Sequence, residues 1–459
     1  MKEGVPAIAR NAFDTANVSA PKAVSRPWPP RSRAWWAVGI FCVVGTLSYT
    51  DRQILSLLVE PLRRDLGLSD VQMGLLQGLA FALIYSVAGI PLGRLADKWS
   101  RRSILMAGVL IWSLATVGCG LASGFWALFL ARVLVGVGEA TLAPAAISMI
   151  GDLFPPHRRG IAVSIFMMGL CVGAGVALGA GGALLQSAEH GTFSILPIVG
   201  GFRPWRIVLL ALALPGALVI MLLATMREPA RRGSLEDAAM VTSTFDALRV
   251  LARHGRVVGP MWGAMAFMSA GDFSLLNWTP ALLERVYHQS ASSVGSTLGL
   301  SAVLGGVFGT LMSGLLSDRM ARTRGHQYRS YISAVLAVLS SGAAAIAIER
   351  GGAALVLGCF TLWTMMSWGA QSAGIAAMQE AIPNEVRGMS IACMAFFNMI
   401  FGLTFGTLIT AALTEHVFHD PLALGRSLAI VVAPSALAAA ALYFWSARAI
   451  AAQPAVGFR

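Results

Sequence analysis

The chain has 459 residues, 56% of them hydrophobic and only 12% charged, with a formal net charge of +12 and a mean hydropathy of +0.70. Soluble domains carry about 25% charged residues. The composition therefore excludes an ordinary soluble globular protein and points to one that lives in a bilayer.

Residues 1–33 are Pro-rich, basic and polar, and they lack the short apolar core and cleavage site of a secretory signal. They are expected to form a disordered cytoplasmic tail. Twelve apolar runs follow, each about the 20 residues that a helix needs to cross a membrane. They cover 34–59, 69–93, 103–122, 124–150, 159–186, 205–226, 257–283, 292–317, 330–348, 352–379, 387–414 and 424–448, numbered here as spans 1–12. Their apolar character is continuous rather than alternating, which predicts helices and not barrel strands.

Span 1 carries the polar run Ser48-Tyr49-Thr50-Asp51-Arg52-Gln53. A charge at bilayer depth costs a few kcal/mol or more, so an intramembrane acid or base reads as functional by default. Span 2 is followed by Gly93-Arg94-Leu95-Ala96-Asp97-Lys98-Trp99-Ser100-Arg101. Span 4 holds Arg132 and, seven residues on, Glu139. Seven residues are nearly two helical turns, so the two share a face. A rise of about 1.5 Å per residue puts Asp51 and Arg132 both about 12 Å below the outer surface, and Glu139 about 22 Å below it. Asp51 and Arg132 are expected to meet at one level, with Arg52 or Arg132 reaching toward Glu139.

Beyond span 6, residues 227–256 read as a polar cytoplasmic linker between six-helix halves at 34–226 and 257–449, with a short tail at 450–459. Span 7 brings Asp272 near mid-depth and then Asn277-Trp278-Thr279-Pro280, where proline frees a backbone carbonyl and invites a kink. Span 8 runs into Gly314-Leu315-Leu316-Ser317-Asp318-Arg319-Met320-Ala321-Arg322, the same G-x-x-x-D-[KR]-x-x-R pattern as after span 2. Pro155 to Gly160 and Pro383 to Gly388 form a second repeat six helices apart, which pairs Asp152 with Glu380. Such parallel repeats are one of the symmetry types of secondary transporters. Spans 10 and 11 add Met365, Met366, Trp368, Gln371 and Phe397, a soft apolar wall in the second half.

With both termini cytoplasmic, 25 of the 34 Lys and Arg fall on the inner face and 7 on the outer, with Arg52 and Arg132 within the membrane. The bias fixes orientation by the positive-inside rule and accounts for the net charge without nucleic acid. The five cysteines, at 42, 119, 171, 359 and 393, sit inside apolar runs and read as small buried hydrophobes. The histidines do not cluster and there is no phosphate-binding loop, so neither an enzyme, a metal centre nor a cofactor site is expected.

GxxxG pairs at Gly74/Gly78, Gly175/Gly179, Gly305/Gly309 and Gly402/Gly406 let helix backbones approach closely. They are expected at the seam between the halves; ordinary packing in a Gly-rich chain is the alternative. The acids Asp51, Glu139 and Asp272 outnumber the bases Arg52 and Arg132. Arginine keeps its proton in a protein interior. A buried carboxylate left without one tends to hold a proton, and an anion arriving at an arginine competes for it. The plain alternative is a static network that ties span 1 to span 4, a weak contributor to stability.

The G-x-x-x-D-[KR]-x-x-R element and its echo resemble the signature of the major facilitator superfamily. Within it, Thr50-Asp51-Arg52, Leu66-Gly67-Leu68-Ser69-Asp70 with Leu79-Ala80-Phe81-Ala82-Leu83, and Arg132 with Gly136-Val137-Gly138-Glu139-Ala140 resemble Spinster-like transporters. The resemblance implies an all-α fold of two six-helix bundles and a proton-coupled secondary transporter, monomeric, in an inner or plasma membrane. It implies an amphipathic anionic lipid as substrate, of the lysophospholipid or sphingoid-phosphate type. Asp51, Glu139 and Asp272 would carry protons and Arg52 and Arg132 the headgroup. Tyr49, Asn277, Trp278, Met365, Met366, Trp368, Gln371 and Phe397 would line the cavity. Gly93, Asp97, Arg101, Asp152, Gly314, Asp318 and Arg322 would form the gate, with Asp97 at the positive start of span 11. A carrier of small organic anions or drugs is the alternative within transport. A non-transporting sensor or scaffold is the alternative outside it, and would be marked by a large extra cytoplasmic domain or loss of the buried charges.

Overall fold

The computed structural model describes residues 28–195, 197, 200–231, 244–346, 352–383 and 386–452. The expected tails, at 1–27 and 453–459, lie outside the described residues, as do the side chains of Asp97 and Cys171. Among the described residues the chain is helical throughout. Span 1 is Arg31–Leu57; span 2 is Asp70–Gln77 continued by Leu79–Lys98; span 3 is Arg101–Leu121. Span 4 is Phe125–Glu139 continued by Leu142–Leu153, span 5 Pro156–Glu189 and span 6 Pro204–Thr225. Spans 7 to 10 are Gly255–Arg285, Ala291–Arg324, Tyr328–Ile346 and Ala353–Ala381. Span 11 runs Arg387–Val417 and span 12 Leu424–Ala451.

Local chemistry starts and breaks these helices. Ser69 and Gln72 form a reciprocal capping box at the head of span 2, while Ser100 and Ser290 cap spans 3 and 8. Gly67, at φ 64°, ends the short helix Val59–Leu66 and turns the chain back into span 2. Span 2 breaks at Gly78, span 4 breaks directly after Glu139, and span 11 widens into a π-helix over Asn398–Phe405. Among the described residues, nine helical stretches are long and apolar enough on their own to cross a membrane. Spans 1, 7 and 9 are not among them; spans 1 and 7 carry the polar runs around Asp51 and Asp272.

The repeat seen in the sequence is a repeat of packing. Span 1 lies on span 5 as span 7 lies on span 11; span 2 on span 4 as 8 on 10; span 3 on spans 4 and 6 as 9 on 10 and 12. The two halves meet where span 5 packs on span 8 and span 2 on span 11. Two glycine pairs serve this seam as expected or nearly so: Gly74 and Gly78 face Leu403, Thr404, Thr407 and Ala411, and Gly175 faces Gly299 and Val303. Two do not. Gly305 and Gly309 abut Thr361 and Met365 of span 10, and Gly402 and Gly406 abut Ser269 and Ala270 of span 7. Both contacts lie within the second half. The seam glycine of span 8 is instead Gly295, pressed on Leu178. Spacing marks a close approach but not the partner.

Candidate functional site

Ser48 and Arg52 stand one helical turn apart on span 1, so they share a face, and both meet Glu139. The Ser48 hydroxyl donates to Glu139 Oε2 at 2.8 Å, and Arg52 Nη2 donates to the same oxygen at 2.9 Å. The break after Glu139 ends the first segment of span 4 at the acid. The guanidinium of Arg52 lies 4.3 Å from the ring centre of Phe81, 5.1 Å from Tyr85 and 5.3 Å from Tyr49. An arginine held among aromatic faces gains cation–π stabilisation while remaining desolvated.

Asp51 points the other way, to span 3, where Thr116 donates to it at 3.2 Å. Arg132 lies at the same level, as expected, but Nη1 donates to the backbone carbonyl of Asp51 at 3.3 Å rather than to its carboxylate. Arg132 is 3% exposed, and among the described residues no group meets its Nε and Nη2, nor Oε1 of Glu139, itself 1% exposed. Unmet donors on a buried cation cost free energy, so this cluster holds an unused anion-binding capacity. The expected balance of three acids against two bases is corrected by the geometry: the one ion pair in the cluster is Arg52–Glu139.

Asp272 does not join the cluster. It lies in the second half and accepts from Trp363 Nε1 and Gln371 Nε2, both at 2.7 Å. Asn277 bridges the halves, accepting from Gln53 at 3.3 Å and donating to Thr407 at 3.0 Å. Trp278 is fully buried with its Nε1 bonded to the carbonyl of Thr407, which packs it into the core of the second half. The wall expected from span 10 also divides: Trp368 packs toward Gly306 of span 8, while Gln371 faces Asp272. Met365 meets span 8 at Gly309, Met366 is half-buried, and Phe397 stacks between Trp262 and Phe401. Residues at 363, 367 and 371 face span 7 because they recur at helical spacing; 365 and 368 fall on another face.

Two polar clusters flank this centre. At one end Arg285 of span 7 donates to Glu60, at 2.6 Å through Nη2 and 3.0 Å through Nε, and to both oxygens of Asp70, at 3.0 and 3.1 Å. The backbone of Val71 adds a 2.8 Å bond to Glu415 of span 11. These contacts tie the first half to the second. Sequence reasoning missed them because Glu60 lies in the short helix Val59–Leu66 while Asp70, Arg285 and Glu415 stand singly at the ends of spans 2, 7 and 11.

At the other end, among the described residues, Arg101 pairs within the first half and with the start of the linker, and Arg329 pairs within the second half. Arg101, 2% exposed, binds Asp152, as the resemblance implied for the gate, and also Ser148 and the carbonyl of Pro229. Glu228 accepts from the hydroxyl of Ser100 and from the backbone and side chain of Arg101. Gly93 sits in span 2 with open space around it. In the second half Gly314 and Asp318 lie in span 8, but Arg322 is not the counterpart of Arg101. It is exposed and, among the described residues, bonds the carbonyl of Asp318 one turn back, because span 8 continues to Arg324. Arg329, near the start of span 9, takes the role, meeting Asp318 at 2.5 Å and Glu380 at 2.9 Å.

Residues 41–407 match the Major Facilitator Superfamily profile. A protein of Mycolicibacterium smegmatis described as an MFS-type efflux pump is 31% identical over 91% of this chain and 93% of its own length. The human protein spinster homolog 1 is 30% identical over 62% of the chain, and the match spans 54% of the human protein. In fold, a bacterial homolog to the human lysosomal transporter Spinster, in an inward-facing and unoccupied conformation, superposes with a TM-score of 0.78 over 92% of this chain and 98% of that one, at 24% identity. The chain is an integral membrane protein of the major facilitator superfamily, Spinster-like in sequence and fold.

Proposed function

We propose that the protein is a proton-coupled secondary transporter of an amphipathic anion of the lysophospholipid or sphingoid-phosphate type. The observation that carries this reading is the cluster of Arg52, Glu139 and Arg132, with arginine donors left unmet in the interior of the first half. A phosphate entering it completes the donor set of Arg132 and competes with Glu139 for Arg52. A carboxylate released from an arginine in an apolar interior is stabilised by taking a proton. Substrate and proton thereby become linked. Asp51 is a second proton carrier in the same cluster, and Asp272 is one facing the second half.

The charge bias supports cytoplasmic termini and, with them, a cytoplasmic Arg101 end. The sealed Arg285 end then closes the outer side, and the site communicates inward. Outward opening requires Arg285 to leave Glu60 and Asp70, while the Arg101 and Arg329 clusters hold each half rigid as the halves rock. The gate role of Asp97 rests on the resemblance.

The test is binding to purified protein of a lysophospholipid against small organic dianions of matched charge. Tighter lysophospholipid binding that weakens in Arg132→Lys supports the lipid reading. A second reading, a carrier of small organic anions or drugs, draws on the near full-length likeness to the M. smegmatis efflux pump. It is favoured if the dianions bind as well as the lipid.

A further inference from the structure

A cavity away from the transport centre opens between the helix Thr244–Arg253, the start of span 7 and the end of span 12. It is lined by Arg253, Arg256 and Arg448 beside Phe444, Trp445 and Val257. Among the described residues no carboxylate lines it. Among the described residues none of the three guanidinium groups has an ion-pair or hydrogen-bond partner, and Arg448 lies 5.6 Å from the ring centre of Phe444. All three arginines are exposed. The positive-inside bias brings cations to this side, and the field of three together concentrates anions there.

The apolar side of the cavity fixes what kind of anion. Ile430, Leu437, Ala441 and Phe444 are exposed at spacings of seven, four and three residues, so they form one stripe along span 12. The stripe runs the length of the helix and ends at Arg448, one turn past Phe444. Trp445, also exposed, stands at the same level, where an amphipathic ring sits at the headgroup boundary. The start of span 7 adds its positive helix end beside Arg256.

We propose that this cavity binds the phosphodiester headgroup of a two-chain anionic membrane phospholipid, with one acyl chain laid along the span 12 stripe. Basic pockets between membrane helices at this level suit such headgroups. The site is separate from the Arg132 centre and takes a resident lipid rather than cargo. Its neighbour is the inter-half linker, so occupancy fastens the helix Thr244–Arg253 to spans 7 and 12.

The experiment incubates the purified full-length protein with equal dioleoylphosphatidylglycerol and dioleoylphosphatidylcholine and reads retained lipid by native mass spectrometry. The wild type should retain the glycerol lipid at least about five-fold over the choline lipid, as expected for several basic contacts. The triple variant R253A/R256A/R448A should bring the ratio to about one. The triple lysine variant, which keeps the charge and guards against misfolding, should keep most of the preference. Glycerophosphoglycerol, the headgroup without chains, should not displace the lipid at equal concentration. Glu139→Gln should leave the ratio unchanged, which separates this site from the transport reading. An unchanged preference in the alanine variant, or none in the wild type, overturns the proposal. Displacement by the free headgroup overturns the chain-seated part of it.

Discussion

Arg52 and Glu139 are 87 residues apart in the chain, yet Nη2 and Oε2 meet at 2.9 Å with both side chains buried. The pair joins span 1 to span 4 and sits one turn from Ser48, which donates to the same carboxylate. Breaking a buried pair by removing one partner costs about 3–5 kcal/mol, because the other charge is left stranded. Glu139→Ala should therefore destabilise the protein strongly, while Glu139→Gln, which keeps an acceptor for both donors, should cost clearly less. Thermal unfolding in detergent measures the difference. Equal losses in the two variants would mean that the pair contributes packing alone.

The outer seal makes a separate prediction. Arg285 holds Glu60 and Asp70 across the two halves, and Arg285→Ala should populate the opposite opening. A cysteine placed at Ser56, a buried position on the same side, in a background without the five native cysteines, should label several-fold faster from outside in that variant. Unchanged labelling would show that the ion pairs do not hold the seal.

Glu228 gives a pH test outside the membrane. Burial works against its charge, but hydrogen bonds from Ser100 and Arg101 outweigh it and hold the carboxylate below its ordinary 4.5. A lowered folded value means that its stabilisation is present above the ordinary carboxylate range and lost as pH falls through the lowered one. The contact is partly exposed and is worth on the order of 1 kcal/mol. A fluorophore on a cysteine at Ala230 should keep constant anisotropy from about pH 8 to 5 and lose it in stronger acid. Glu228→Gln should show the loosened state at neutral pH. A transition near neutrality in the wild type would contradict this.

Much of this molecule was legible in the chain. Apolar runs and the two G-x-x-x-D-[KR]-x-x-R elements carry the twelve helices and the repeat, because a bilayer leaves the backbone few alternatives. The meeting of span 1 and span 4 charges was legible too, since helical rise fixes depth. What escaped depends on rotation and on partners far along the chain. Phe81 and Tyr85 sit one turn apart in an apolar run and look like core until Arg52 is found against both rings. Trp278 looks like lining until its Nε1 is found bonded inside. Arg322 matches its motif letter by letter, but span 8 runs past it, and Arg329 stands where the fold needs the cation.

The headgroup assignment is tested by conservative change. The Arg132 guanidinium has a forked donor set that Lys cannot copy. Arg52→Lys and Arg132→Lys should each weaken lysophospholipid binding by at least about 1 kcal/mol. Shortening the acyl chain should weaken it further, by up to about 0.8 kcal/mol per methylene removed. Isothermal titration across a chain-length series reads both. Affinity independent of chain length would move the assignment to the small organic anions.

The most direct measurement is lysophospholipid flux into proteoliposomes with and without an imposed proton gradient, for wild type and Glu139→Gln. The wild type should respond to the gradient at least about ten-fold, equivalent to 1.4 kcal/mol of coupling. Glu139→Gln should bind the lipid and lose that response. Gradient-driven transport that survives in Glu139→Gln at the wild-type level would contradict the assignment of Glu139 as the proton-linked partner of Arg52.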